Sequence, residues 1–432
     1  MKNFIPRLIV AATLVLLLFS SPLWFPNLQA LAAPDSHPDP NPFADTPGFY
    51  ILDNGWTAGS LTQKVLAVPQ VFSWSPGEDE TNWVAETGFI YGGFHDLATG
   101  NIYITEQRNK DYESLLNVSF AGDVLYASSS DWGMYLTMLN GESGEVLNRV
   151  ALDVPAQDAS GASIHPIGIS GNTLYLMNYA QGRNLFTYDL NAQQVAEGSW
   201  SLCENGYLVK AEFISEPVQV AALCLGHDNG TGAAVTLTNL ETDEQSSIVL
   251  PILGKEEYQT GNGMFVANGS LFAIDSEVGV LVKIDMDTME IVQTSNYRDV
   301  LAQQKSSWMD DLLVWLGNQI VSPAAAKRFL SITAVSPDGR WLAVDGGAFA
   351  DNGASNRVLL VDLQTLQATQ SFDLGRSPLQ IEFATDTSLL VLFDKPGRTV
   401  ATPGVFLDLG TGNQQDVAIP THGWVHSILV AN

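Results

Sequence analysis

The residues able to act as nucleophiles, proton carriers or metal ligands are scattered in this chain. Six histidines, His37, His95, His165, His227, His422 and His426, stand alone, with no pair at metal-ligand spacing. No G-x-S-x-G elbow, H-E-x-x-H pair, phosphate-cradling G-x-x-x-x-G-K-[ST] loop or G-x-G-x-x-G fingerprint occurs. With 47 acidic residues, nothing selects a catalytic carboxylate pair. Asp345, Asp351 and Asn352 offer the oxygen ligands that calcium takes, but lack the spacing of a twelve-residue calcium loop. The sequence therefore names no catalytic residue, no metal site and no cofactor. His422 and His426, which flank the final apolar run, are the histidines placed to face a central funnel, or else to be satisfied structurally.

Cys203 and Cys224 are the only cysteines. They lie on either side of a turn expected near Ser215-Glu216-Pro217, in strands that should pair. Two cysteines in one hairpin of an exported chain point to a disulfide, with two buried thiols as the alternative. Asn117, Asn229 and Asn268 open formal glycosylation sequons.

The elements that must position these residues are short strands. In Phe329–Leu374, runs at Ile332–Val335, Trp341–Val344, Arg357–Asp362 and Ala368–Phe372 read as four antiparallel strands. Ser336-Pro337-Asp338-Gly339 makes the first turn, with Pro presetting φ and Gly accepting φ > 0. Four strands in about 46 residues is one β-propeller blade. An apolar strand ending in an Asx-rich turn recurs at residues 96, 140, 189, 239, 285, 362 and 408. Read as the hairpin between the two outer strands of each blade, these turns imply seven blades, with six or eight left open by the irregular stretch 49–110. Trp424–Val430 has nothing after it to pair with and is expected to complete the first blade, removing two raw sheet edges. The fold class is all-β, a seven-bladed propeller over residues 48–432.

The N-terminus reads as an export signal over residues 1–32. Lys2 and Arg7 precede the apolar run Leu8–Phe19, and Ala30-Leu31-Ala32 supplies a cleavage site. An uncleaved anchor is the alternative, and no stable membrane span is expected after cleavage. Residues 33–47, rich in Pro and Asp, form a linker. Between Tyr297 and Leu330 an insertion of about residues 298–328 carries Trp308, Leu312, Trp315, Leu316 and Ile320 at helical spacing. It is either a lid packed on the propeller or an apolar face that docks a partner. The net charge of −28 repels phosphate backbones and anionic lipid, so no nucleic-acid partner is expected. That charge suits solubility in a periplasmic or secreted setting, a cationic ligand or a basic partner.

The acidic exported outline, seven blades, C-terminal closure and a mid-chain cysteine hairpin form a recognisable layout. So does the strand Asn356-Arg-Val-Leu-Leu-Val-Asp362 after an irregular insertion. Together they resemble the heavy chain of quinoprotein amine dehydrogenases, within the wider YVTN- and WD40-like propellers. That resemblance implies a scaffold chain beside a separate quinone-bearing subunit, and it assigns no catalytic residue here. Three functions follow as expectations. The first is a non-catalytic exported propeller binding a protein or small ligand at its funnel face. The second is the heavy subunit of an amine-oxidising complex. The third is a lactonase-like hydrolase using the funnel.

Overall fold

The computed structural model describes residues 46–54, 69–77, 81–109, 119–121, 124–126, 132–152, 164–179, 185–203, 206–228, 231–250, 262–276, 279–297, 333–345, 356–393, 401–421 and 425–431. Seven four-stranded antiparallel sheets form the blades of a propeller. Blade one takes its inner strand from the C-terminus, Val425–Ala431, and its other three from Gly48–Asp53, Gln70–Trp74 and Trp83–Glu86. Blades two to seven begin at the inner strands Phe89–Asp96, Ile164–Ser170, Tyr207–Ile214, Asn262–Ala267, Thr333–Val335 and Pro378–Thr385, and each sheet then runs outward in chain order. The closing strand pairs from Gly48↔Ala431 to Asp53↔Val425, as its apolar sequence led us to expect.

Burial explains the composition of each layer. The middle strands face neighbouring blades on both sides and read as continuous apolar runs. In blade four Val220 to Leu225 and Ala233 to Val235 are at most 4% exposed. The alanines there let adjacent sheets approach, while Leu223, Val235, Leu271 and Val282 fill the seam between blades four and five. Each such fully buried aliphatic side chain contributes about 1.5–3 kcal/mol. Outer strands are wet, as in Gln245–Leu250, where only Leu250 is buried.

The repeated turns share one geometry. Asp189, Asn239, Asp285 and Asp362 each accept, through Oδ1, hydrogen bonds from the backbone N–H groups two and three residues on. The residue four positions on is left-handed, at Gln193, Asp243, Met289 and Leu366. Asp96, Asn140 and Asp408 use Gly100, Gly144 and Gly412 for the same position, where φ > 0 carries no Cβ penalty. Six of the seven turns join third to outer strands in blades two to seven. The turn at Asp96 instead joins the inner and second strands of blade two. The expectation of one such hairpin per blade is thus corrected: among the described residues blade two has two and blade one none, so the count of seven survives by compensation.

A two-stranded hairpin, Ser119–Ala121 with Val124–Tyr126, is inserted between the second and third strands of blade two. The expected export signal, linker and helical insertion, with Trp308, Leu312, Trp315 and Leu316, lie outside the described residues.

Candidate functional site

Five of the seven inner strands carry a β-bulge within their first four residues. In blade one Leu52 pairs Ser427 and Asp53 pairs Val425, leaving His426 without an opposite residue. Tyr91, Ile167, Val209 and Leu379 are the extra residues in blades two, three, four and seven. Blades five and six pair with their second strands without a shift. A bulge breaks strict alternation and re-aims neighbouring side chains. The five bulged blades are the ones that bring polar groups together around the axis.

Lys210 and Glu212 come from blade four, His165 and Tyr179 from blade three, Tyr91 from blade two, His426 from blade one, and Gln380 and Glu382 from blade seven. Lys210 Nζ pairs with Glu212 Oε1 at 3.2 Å. Their side chains keep 45% and 29% of their surface, yet protein encloses Lys210 closely enough for burial to oppose its charge. Glu212, and more weakly Tyr179 and Glu382 across the ring, hold the ammonium above its ordinary pKa.

Side chains also stitch neighbouring inner strands. Gln380 Nε2 donates to the His426 carbonyl at 2.8 Å, and His426 Nε2 donates to the Tyr91 carbonyl at 2.7 Å. Thr105 Oγ1 donates to the Ile164 carbonyl, and Tyr179 accepts from the Ala211 backbone. Tyr91 donates to Gln107 Oε1 at 2.9 Å. The His165 ring stands edge-on to Tyr179 at 4.9 Å and 6.4 Å from the ring of His426. Room for His165 is made by Gly92, where a Cβ would lie 2.6 Å from His165 Nδ1.

Enclosure sets the protonation states. Burial lowers His165 to about 4, helped by His426 and Lys210. It lowers His426 too, against the opposing bond to Tyr91. Both rings are neutral near pH 7. Burial raises Glu382 to about 7, although a Phe383 N–H bond and Lys210 pull the other way. Tyr91 and Tyr179 are raised chiefly by burial and stay protonated. The site thus offers one ion pair, a carboxyl near its titration point, two neutral imidazoles and phenols. Among the described residues no three His, Cys, Asp or Glu side chains group as a metal site.

Of the histidines, His426 and His165 reach this cluster. His95 instead bonds the Val430 carbonyl at 3.0 Å and stands edge-on to Tyr50, stitching blade two to blade one. The side chains of His37, His227 and His422 lie outside the described residues, as do Asp351 and Asn352 of the weighed calcium set, and Asn117 and Asn229. The Asn268 amide is engaged, donating to the Gly339 carbonyl at 2.9 Å. The charged members Lys210, Glu212 and Glu382 went unmarked in the sequence. Their signal is the pairing of polar residues two apart, Lys210 with Glu212 and Gln380 with Glu382, inside otherwise apolar runs.

Cys203 and Cys224 form a disulfide with Cα atoms 5.7 Å apart. The placement differs from the expected strand pair. Cys224 lies in the second strand of blade four opposite Leu208, whereas Cys203 precedes the inner strand, so the bond ties the blade-three-to-four connection to the sheet.

The sequence matches no protein-family model and no curated protein. In fold it is similar to a provisionally assigned 6-phosphogluconolactonase from Bacteroides fragilis, at 14% identity and a TM-score of 0.50 over 89% of this chain and 97% of that one. A second such protein, from Bacteroides uniformis, matches at 13% identity and a TM-score of 0.52 over 89% and 99%. A protein from Lactobacillus plantarum matches at 12% identity and 0.50 over 87% and 97%. These likenesses establish the propeller fold.

Proposed function

We propose that this chain is an extracytoplasmic propeller that binds a small ligand in its axial channel and holds it without chemical change. The observation that carries the reading is the convergence of polar groups from the five bulged inner strands, beside two inner strands that carry no bulge. Binding is favoured over turnover because two of the groups able to carry a proton are already engaged. His426 spends its Nε2 proton on Tyr91, and Lys210 is held charged by Glu212, so it is no free base. The disulfide and the apolar N-terminal run support a location outside the reducing cytoplasm.

A lactonase-like hydrolase is the second reading. Glu382, protonated up to about pH 7, has the pKa of a general acid working near neutrality. The fold is also shared with proteins provisionally assigned as 6-phosphogluconolactonases. The separating experiment follows D-glucono-1,5-lactone by pH-stat with wild type and Glu382→Gln. Turnover above the spontaneous rate that falls at least a hundredfold in the variant would establish the hydrolase and overturn the binding reading. Equal, background rates in both leave channel binding as the function.

A further inference from the structure

Resting on the channel-binding reading, we infer that the ligand is a small uncharged carbohydrate, held by hydroxyl hydrogen bonds to Lys210 and Glu212 and stacked against aromatic rings at the channel mouth.

The first argument is charge balance. The seven inner strands contain one cation, Lys210, and its charge is matched at 3.2 Å by Glu212. The imidazoles of His165 and His426 are neutral, and Glu382 is protonated below about pH 7. A ligand of either sign would add an unbalanced charge beside an already matched pair, at a desolvation cost that an uncharged ligand avoids.

The second is the unfilled hydrogen-bonding capacity. An ammonium has three N–H donors, and Glu212 takes one of those on Lys210. The pair therefore offers free donors at Lys210 and acceptor capacity at Glu212, both on side chains that keep accessible surface. A hydroxyl is both at once, and a ring carrying several satisfies both sides.

The third is the rim. Tyr207 and Phe89 open the inner strands of blades four and two, at the same end of the strands as His165 and His426. They remain 51% and 37% exposed. Phe89 is braced edge-on by Tyr91 at 5.4 Å. Exposed aromatic faces beside a polar channel suit a pyranose, whose C–H face stacks on a ring while its hydroxyls point outward.

One sugar scaffold in three charge states tests this at pH 6 by isothermal calorimetry: N-acetylglucosamine, with glucose and galactose, as neutral probes, glucuronate as anion, and glucosamine as cation. The expected result is millimolar or tighter binding of at least one neutral probe, with both charged sugars at least tenfold weaker. Lys210→Gln should weaken the neutral probe at least tenfold. Tyr207→Ala, at an exposed site that folding does not need, should weaken it about threefold with the melting temperature unchanged. Tighter binding of glucuronate or glucosamine, lost in Lys210→Gln, overturns the uncharged ligand while the channel reading stands. Binding untouched by both variants overturns the channel reading itself. No heat with any sugar overturns the carbohydrate.

Discussion

His426 Nε2 donates to the carbonyl oxygen of Tyr91 at 2.7 Å, linking the last strand of the chain to the first strand of blade two. A carbonyl only accepts, so Nε2 carries the proton of the neutral ring. Ring closure therefore uses a side-chain bond on one flank of the closing strand as well as the backbone ladder to Gly48–Asp53 on the other.

Removing residues 425–432 should lose that ladder and the buried Val425 and Ile428. Two aliphatic anchors correspond to about 4–8 kcal/mol, and an opened ring also gains two raw edges. Scanning calorimetry should show a lower and broader transition. A truncated chain that melts like the full one would contradict closure.

The pH dependence of stability should split by residue. Glu382 has a folded pKa of about 7, above its unfolded value near 4.5, so its contribution is full below about 4.5 and is lost as pH rises through 7. His165, lowered to about 4 from 6.5, contributes in the opposite sense, fully above about 6.5 and lost as pH falls through 4. The two offset each other between about pH 4.5 and 6.5. Glu382→Gln should therefore make stability rise more steeply with pH than in wild type, and His165→Asn should make it fall. Each change is on the order of 1–2 kcal/mol across the window after solvent screening. Urea melts at pH 4.5, 5.5 and 6.5 measure both slopes, and slopes of the reverse sign would remove these two groups from the account.

Gly92→Ala places a methyl 2.6 Å from His165 Nδ1. Either the imidazole or the bulged strand must shift, at about 1–3 kcal/mol. The melting temperature should drop, and the aromatic proton shifts of His165 should move in NMR spectra. Unchanged His165 resonances would refute the contact.

Reducing the Cys203–Cys224 bond opens a loop of 21 residues in separation. The chain-entropy model gives about 3 kcal/mol for a loop of this size. Dithiothreitol should lower the melting point of wild type and leave a Cys203→Ser, Cys224→Ser double variant, already lowered, unaffected.

The sequence made the propeller readable because its turns repeat. An apolar strand ending in an Asx residue and a turn of small or polar residues is a local signal, visible without knowledge of partners. The same locality misplaced the Asp96 turn, since a five-residue turn looks alike wherever it sits in a blade. The paired cysteines were legible because only two exist, though Cys203 fell in a connection instead of a strand. The channel site was largely hidden. A bulge adds one residue and leaves the apolar pattern nearly intact, so nothing local announces that Lys210 and Glu382, about 170 residues apart, face one axis. Their meaning comes from ring closure, which is a property of the whole chain.

Closure at the C-terminus also fixes the order in which the molecule can be finished. Gly48 and Ala431, partners in one sheet, are separated by about 380 residues, among the longest loops that a chain of this size can close. As the ribosome releases the protein, Gly48–Asp53 emerges early with one side of its ladder bare, and stays so until Val425–Ala431 appears. Every other blade holds its four strands in one contiguous stretch and can assemble from local pieces. Blade one is thus the last to receive all its strands, and its waiting strand, apolar from Phe49 to Leu52, is left with an edge open to pairing with a second copy before the ring shuts.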